Sequence, residues 1–448
     1  MISKKQKFRT VILILILALA IVGGVFVVSY YMGGVTFPWE VAATDADTED
    51  TAKEPEEDEE KLVVKVVEPE EDATEEQTEE IVEEDTETTE ETDTTEETDT
   101  TDSNVLSDNY YDYYGQLSVV DGQLVDADGN AAQLVGVSTH GLSWYPDYAS
   151  AETIQSLREN WGINTIRLAT YTSDYNGYCV GGEDIQQAIK DTIDEAVTAA
   201  TENDMYVIID WHILNDGNPN EYKSEAIQFF GELVRKYADN ENVIYEICNE
   251  PNGDTTWDDI RKYANEVIPV IRNVDEDAVI LVGTPDYSSD LASVMENPLD
   301  FDNIMYTYHF YAGTHGSSER DDLIAALDEG MPVFISECGF VSADGTGDVD
   351  TDEANEWLDV IDEYGLSMVV WNLSNKDEGS ALISADCTDT YDWTADELSA
   401  QGQFFIEWLS GDHTVDSEDG ESAEEEETTE TSDSVTNKST KSSKTKEN

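Results

Sequence analysis

Two glutamates carry the first chemical signal. Glu250 stands in Asn249-Glu250-Pro251 and Glu337 in Ser336-Glu337-Cys338. Each follows a short apolar run, Val243–Ile247 and Pro332–Ser336, of the kind that forms a strand buried on both faces. They lie 87 residues apart, three repeats of 29, which sets them facing each other across the mouth of a closed parallel barrel. Two carboxylates so placed suit cleavage of a glycosidic bond. In the retaining form of that reaction they stand about 5–5.5 Å apart, one attacking the anomeric carbon while the other protonates the leaving oxygen. Their surroundings must push their pKa values apart. Arg167 and the Tyr311 hydroxyl can hold one as carboxylate, while apolar neighbours and the other negative charge keep the second protonated. His309 and Tyr311, two apart on a strand, point the same way. Helix capping or wall salt bridges are the alternative for any one such residue. Against that reading, polar residues close run after run: His140, Arg167, Asp210-Trp211-His212, Asn249-Glu250, His309-Phe310-Tyr311, Glu337 and Trp371-Asn372.

The elements that must position these residues are legible as alternating patterns. Eight apolar runs follow one another: Leu134–Thr139, Thr165–Ala169, Tyr206–Asp210, Val243–Ile247, Ala278–Val282, Ile304–Tyr308, Pro332–Ser336 and Ser367–Trp371. Between them Ile185, Ile189, Ile193, Ala196, Val197 and Ala200 recur at helical steps, as do Ile260, Tyr263, Ala264, Val267 and Ile271. Gln116–Gln133 reads as a hairpin, with Asp121-Gly122 and Asp128-Gly129 as turn signals. Eight βα units predict an α/β fold, a (β/α)8 TIM barrel with an N-terminal β-hairpin. A doubly wound sheet is the alternative; the count of eight and the lack of a Gly-rich phosphate turn weigh against it. Aromatics cluster at the same strand ends: Trp144, Tyr145, Tyr171, Trp211, Trp257, Tyr287, Tyr311 and Trp371. Some must be core; Trp144 and Trp371, in polar, loop-like contexts, are the better platforms for the apolar faces of sugar rings.

The net charge of -80 is unevenly spread. Residues 110–411 hold 59 acidic and 11 basic residues, a poor balance for a nucleic-acid partner and no obstacle to a neutral polymer. Residues 41–109 hold 30 acidic residues and three Lys, and residues 412–448 a further 12 acidic residues. Both are Thr-rich with few aromatics and are expected to be disordered, the first as a linker, the second as a tail. Lys4, Lys5, Lys7 and Arg9 mark a basic cytoplasmic segment over 1–9. The apolar run that follows, 10–32, has the length of a transmembrane signal-anchor, so residues 110–411 are expected on the extracellular face of a bacterial cell membrane. A cleaved signal peptide, giving a secreted protein, is the competing reading; the run is long for one and Tyr30-Tyr31-Met32 is a poor cleavage context. Cys179, Cys248, Cys338 and Cys387 read as small buried apolar residues, with no CxxC or Cys/His metal spacing and no metal-ligand cluster in view.

Seven stretches resemble glycoside hydrolase family 5, and within it the bacterial endoglucanases of subfamily 2. They are Ser138-Thr-His-Gly-Leu-Ser-Trp144, Asn164-Thr-Ile-Arg-Leu-Ala-Thr-Tyr-Thr172, Val207-Ile-Ile-Asp-Trp-His-Ile-Leu214, Tyr245-Glu-Ile-Cys-Asn-Glu-Pro-Asn-Gly253, Met305-Tyr-Thr-Tyr-His-Phe-Tyr-Ala-Gly-Thr-His315, Pro332-Val-Phe-Ile-Ser-Glu-Cys-Gly339 and Trp371-Asn-Leu-Ser-Asn-Lys-Asp-Glu378. The resemblance implies a retaining β-1,4-glucanase with Glu250 as acid/base and Glu337 as nucleophile. It implies that Asn249 bonds the 2-hydroxyl of the attacked sugar, that Arg167 and Tyr311 keep the nucleophile ionised and aimed, and that His309 sits beside the acid/base. His140, His212, Trp144, Tyr171 and Trp371 would line the cleft, and Lys376 and Glu378 would bond hydroxyls further along the glycone side. There are departures. Cys338 follows the nucleophile where the family usually has an aromatic or small residue, and Tyr287 replaces a cleft Trp on the leaving-group side.

The resemblance implies no metal and no organic cofactor, and a monomer is expected. A structural surface protein whose stalks matter more than its barrel is one rival reading, and two others stay open at this stage. One is the same chemistry on mannan, xyloglucan or mixed-linkage β-glucan. The other is a non-catalytic adhesin that binds polysaccharide on a degenerate barrel, against which every catalytic position is filled with the expected residue type.

Overall fold

The computed structural model describes residues 110–411. Ten strands run through them: β1 (Ser118–Val120), β2 (Gln123–Val125), β3 (Val135–Thr139), β4 (Thr165–Tyr171), β5 (Tyr206–His212), β6 (Val243–Glu246), β7 (Ile280–Val282), β8 (Ile304–Tyr311), β9 (Val333–Gly339) and β10 (Met368–Leu373). Strands β3 to β10 close in chain order into a parallel barrel, β10 pairing with β3. All eight apolar runs became its staves. The main differences lie at the C-terminal ends, where β4, β5, β8 and β9 continue into polar residues that periodicity could not extend: Tyr171, His212, Tyr311 and Gly339.

Alternation along each stave decides what faces inward. Tyr206, Ile208, Ile244, Leu281, Met305, Phe334 and Val369 form an interior cluster, while Val207, Ile209, Trp211, Tyr308 and Phe310 pack outward under the helices. The antiparallel pair β1–β2 turns at Asp121-Gly122, and Leu117 and Leu124 from this segment join the interior cluster at the base. It is shorter than the hairpin read from Gln116–Gln133; beyond it Val125 and Ala131 form an isolated bridge, flanked by Asp126 N–H donating to Asn130 O and Ala132 N–H donating to Leu124 O.

The outer ring is amphipathic helix. Helix α1 (Glu183–Glu202) buries Ile189, Ile193, Ala196, Val197 and Ala200. After α2 (Lys223–Tyr237), helix α3 (Trp257–Arg272) starts at a capping box, Thr256 with Asp259, and buries Ile260, Tyr263, Ala264, Val267 and Ile271. Strand β9 carries one irregularity that matters for the site. Thr307 and His309 of β8 pair with Phe334 and Glu337, and Met368 and Val370 of β10 pair with Ile335 and Cys338. Both neighbours therefore record one extra residue in β9, a bulge. Because of it Ser336 and Glu337, though consecutive, both make contacts inside the barrel.

Among the described residues no helix is long and apolar enough to cross a membrane. The basic segment 1–9, the apolar run 10–32, the acidic stretch 41–109 and the tail 412–448 lie outside them. Cys248, Cys338 and Cys387 are buried free thiols, as expected of small apolar residues, whereas Cys179 is only partly covered.

Candidate active site

The inward positions at the C-terminal ends of the staves converge on one guanidinium. Arg167, in the middle of β4, is fully buried. Its Nε donates to Glu246 Oε2 at 2.7 Å and its Nη2 to Glu246 Oε1 at 3.2 Å, a two-pronged ion pair. Nη2 also reaches Asn249 Oδ1 at 2.6 Å and Asp210 Oδ2 at 3.0 Å, and Nη1 reaches Glu337 Oε2 at 3.1 Å. The other oxygen of Glu337 accepts from the Tyr311 hydroxyl at 2.7 Å. Both oxygens of Glu337 thus receive donors, the geometry of an ionised carboxylate fixed in direction.

Glu250 is held differently. Strand β6 ends at Glu246, so Asn249 and Glu250 lie in the following loop rather than at the strand end. That loop is folded back by contacts from its neighbours: Glu250 N–H donates to Ile213 O, Asn252 Nδ2 to Leu214 O at 2.8 Å, and Ser288 Oγ to Asn249 O at 2.6 Å. Gly283 makes room for it; a Cβ there would stand 2.3 Å from Cys248 O and 2.8 Å from Asn249 O. The Glu250 carboxyl meets His309 Nδ1 through Oε1 at 2.9 Å. Burial pushes Glu250 up to about 8 against the pull of Arg167, with Asp210 and Glu246 adding to the rise. Burial and the Glu250 charge also raise Glu337, opposed by His309, Arg167 and His212. Burial lowers His309 to about 4, so its imidazole is neutral at pH 7.

Donor atoms of Glu250, His309 and Glu337 all lie within 4.8 Å of one another. Such spacing can hold a metal ion, a cluster that sequence spacing gave no sign of, since Glu250 comes from the loop after β6, His309 from β8 and Glu337 from β9. Their donors are committed to protein partners: Glu250 to His309, and Glu337 to Arg167 and Tyr311.

A wall of rings borders the carboxylates. Tyr171 lies 4.6 Å from Trp144 and 4.1 Å from His212 between ring centres, and Trp371 stacks on His212 at 5.2 Å. His140 completes the group, 5.3 Å from Trp371. Trp144 is fixed by its indole N–H donating to Tyr175 O. Burial and the adjacent Lys376 lower His140 to about 3, which keeps it neutral. At the edge Lys376 Nζ bonds Glu378 Oε2 at 2.7 Å, and Glu378 Oε1 accepts from Asn372 Nδ2 at 2.9 Å. Tyr287 sits apart on the loop after β7, half exposed, with its amide donating to Pro251 O. Trp211 and Trp257 are buried outside the barrel, Trp211 against Phe229 and Trp257 against Tyr306, so neither belongs to the rim.

Beneath the floor lie Glu246 and Ser336, which the sequence reading does not single out, and Asp210, which it gives only as one of the polar strand ends. All are fully buried. Asp210 Oδ2 bonds His212 Nδ1 at 2.6 Å, and burial pushes this carboxyl up to about 7 despite Arg167. Glu246 had a legible signal, a charged residue inside the apolar run Val243–Ile247, where an unpaired charge would be costly. Ser336 had none, because the bulge that sets it beside Glu337 in the interior is a property of strand pairing.

These arrangements can be set beside known proteins. The family model for cellulase (glycosyl hydrolase family 5) matches residues 125–377. Endoglucanase A of Butyrivibrio fibrisolvens is 60% identical over 421 residues, 94% of this chain and 97% of that one. An endoglucanase of Clostridium saccharobutylicum is 43% identical over 302 residues, 67% of this chain and 66% of its own. Among solved structures, the catalytic domain of Thermobifida fusca endoglucanase Cel5A in complex with cellotetraose aligns with a TM-score of 0.63 at 36% identity, covering 66% of this chain and 98% of that one. A match over more than half the chain, the near end-to-end similarity to Endoglucanase A, and the closed barrel with its paired carboxylates agree: the chain belongs to glycosyl hydrolase family 5, the cellulase family.

Proposed function

We propose that the chain is a retaining endo-β-1,4-glucanase in which Glu250 is the acid/base and Glu337 the nucleophile. The observation that carries this reading is a pair of facing carboxylates in unequal surroundings. Glu250 and Glu337 approach within 4.8 Å through one oxygen each, which suits direct attack and leaves too little room for the intervening water of an inverting enzyme. Glu337, with Arg167 and Tyr311 on its oxygens, attacks the anomeric carbon and forms a glycosyl ester. Glu250, raised to about 8, gives its proton to the departing glycosidic oxygen as the C–O bond breaks. It then takes a proton from water, whose oxygen attacks the anomeric carbon and breaks its bond to Glu337, returning that residue as carboxylate. Asn249 would offer its amide to the 2-hydroxyl. Trp144, Tyr171, Trp371, His140 and His212 offer apolar faces and edges to the sugar rings, and Lys376 and Glu378 offer polar groups to the far glycone hydroxyls. Tyr287 would face the leaving-group side. The cellulase family, the endoglucanase names of the relatives and the cellotetraose held by a solved one support β-1,4-glucan over mannan.

The basic flank and the apolar run that follows support anchoring at the extracellular face of the cell membrane. Extraction by detergent but not by salt is the expected behaviour; recovery of the chain in the culture medium would overturn it.

The function is tested with the full chain and its Glu337→Ala variant on a soluble cellulose derivative and, separately, on mannan, following reducing ends and viscosity together. Rapid viscosity loss on the cellulose derivative, abolished in the variant, is the expected result. Cleavage of mannan alone would overturn the substrate, and binding without cleavage would favour the adhesin.

A further inference from the structure

We propose that Ser336 and Glu246 are positioning residues that fix the tautomer of His309 and thereby hold the proton on Glu250 before each reaction cycle. This rests on the glucanase reading above.

One chain of hydrogen bonds links Glu246, Ser336, His309 and Glu250. Glu246 has both oxygens on Arg167, at 2.7 and 3.2 Å, so it is a carboxylate although burial raises it. An ionised carboxylate only accepts. The Ser336 hydroxyl, 2.9 Å from Glu246 Oε1, must therefore donate its one hydrogen there. What Ser336 has left for His309 Nε2, also at 2.9 Å, is a lone pair, so Nε2 must carry a hydrogen and donate it. His309 is neutral and has one ring hydrogen to place, so Nδ1 is bare. A bare Nδ1 at 2.9 Å from Glu250 Oε1 is a contact only if Glu250 supplies the proton. The orientation is set from the bottom of the site upward, by a carboxylate that is fully buried.

The same constraint serves the second half of the reaction. Once Glu250 has given its proton to the leaving oxygen, a carboxylate faces the Nδ1 lone pair. That repulsion raises its basicity just when it must take a proton from water. Other charges face these groups. Arg167 from β4, Asp210 from β5, Glu246 from β6 and Glu337 from β9 surround Glu250, and Arg167, Glu246, Glu337 and His315 act on His309. Removing the Ser336 hydroxyl leaves all of these in place and frees only the tautomer. His309 can then carry its hydrogen on Nδ1 and stabilise the Glu250 carboxylate.

The test uses the full chain and two aryl β-cellobiosides, one with a phenol and one with a 2,4-dinitrophenol leaving group. Only the first needs its leaving oxygen protonated. In Ser336→Ala, kcat/KM for phenyl cellobioside is expected to fall on the order of tenfold or more at neutral pH, as for partial loss of general-acid help. Its alkaline limb should move to lower pH by about one unit. For the dinitrophenyl substrate kcat/KM should change by no more than about twofold, since it reports only the first half of the reaction and bypasses that help, and Ser336→Thr should restore the phenyl activity. Equal loss on both substrates, or an unmoved alkaline limb, would overturn the proposal. A wild-type chain that cleaves neither cellobioside would overturn the glucanase reading along with it. A second measurement needs no Ser336 variant: 15N spectra of the histidine-labelled chain, with His309 assigned by its absence in His309→Gln. A protonated Nε2 and bare Nδ1 are expected, and a protonated Nδ1 would overturn the tautomer.

Discussion

At the residue scale the site is a problem of too many buried negative charges. Asp210, Glu246, Glu250 and Glu337 share a single guanidinium, Arg167. Glu246 and Glu337 take the directed hydrogen bonds, and the two that remain absorb the imbalance as protons: Asp210 rises to about 7 and Glu250 to about 8. A carboxyl whose folded pKa lies above its ordinary value favours the folded state fully below that ordinary value. It loses the contribution as pH rises through the folded pKa. For Glu250 the window runs from its ordinary value of 4.5 to about 8. Glu250→Gln keeps the neutral form and can still donate to His309 Nδ1. Its Tm is therefore expected to exceed that of the parent chain by several degrees at about pH 8. Near pH 4 the difference should shrink toward zero, while hydrolysis of phenyl cellobioside is lost. Thermal melts of both proteins across this range check it; a constant offset at every pH would reject the protonation argument.

At the element scale two local devices deliver side chains that a regular barrel would not. The β9 bulge presents Ser336 and Glu337 together, and the close approach of β7 lets the Asn249–Pro251 loop fold over the barrel mouth. The second device depends on Gly283, whose missing side chain leaves the backbone of Cys248 and Asn249 in place. The turn that follows holds Asp286, Tyr287 and Ser288 at positive φ, and it brings Ser288 Oγ to Asn249 O. Gly283→Ala is expected to destabilise the fold by about 1–3 kcal/mol through overpacking, measured by denaturant unfolding. Displacement of the acid/base loop should also lower kcat on phenyl cellobioside more than on the dinitrophenyl substrate. Unchanged stability and kinetics would mean that the loop has slack that the 2.3 Å approach does not suggest.

At the scale of the whole molecule, charge is the dominant fact. Residues 110–411 carry 59 acidic and 11 basic residues, far beyond what the ion pairs among the described residues neutralise. Like charges on one compact body repel, and salt screens them over about 10 Å at 0.1 M and 3 Å at 1 M. Tm is therefore expected to rise as sodium chloride is raised from low concentration toward about 1 M, where screening is nearly complete. Differential scanning calorimetry across that series checks it, and a flat or falling Tm would show that the acidic surface is not a source of instability.

What the sequence determined by itself were the features that repeat. Eight successive apolar runs specify eight staves, because a strand buried on both faces must be apolar along its length, and the helical stripes specify the outer ring. The order of the staves then put Glu250, Glu337, Arg167, His309 and Tyr311 on one rim, so the chemistry was legible before any contact was known. Tertiary structure alone decided what depends on register and on partners distant in the chain. The bulge in β9 exists only in its pairing with β8 and β10. Trp211 and Trp257 pointed to the rim by sequence proximity and to the core by strand parity and helix packing. The hydrogen-bond chain from Glu246 through Ser336 and His309 to Glu250 joins residues up to 90 positions apart. Periodicity reports which face of an element is wet or dry. It carries no information about which of two lone pairs a hydroxyl spends, and here that choice sets where the catalytic proton rests.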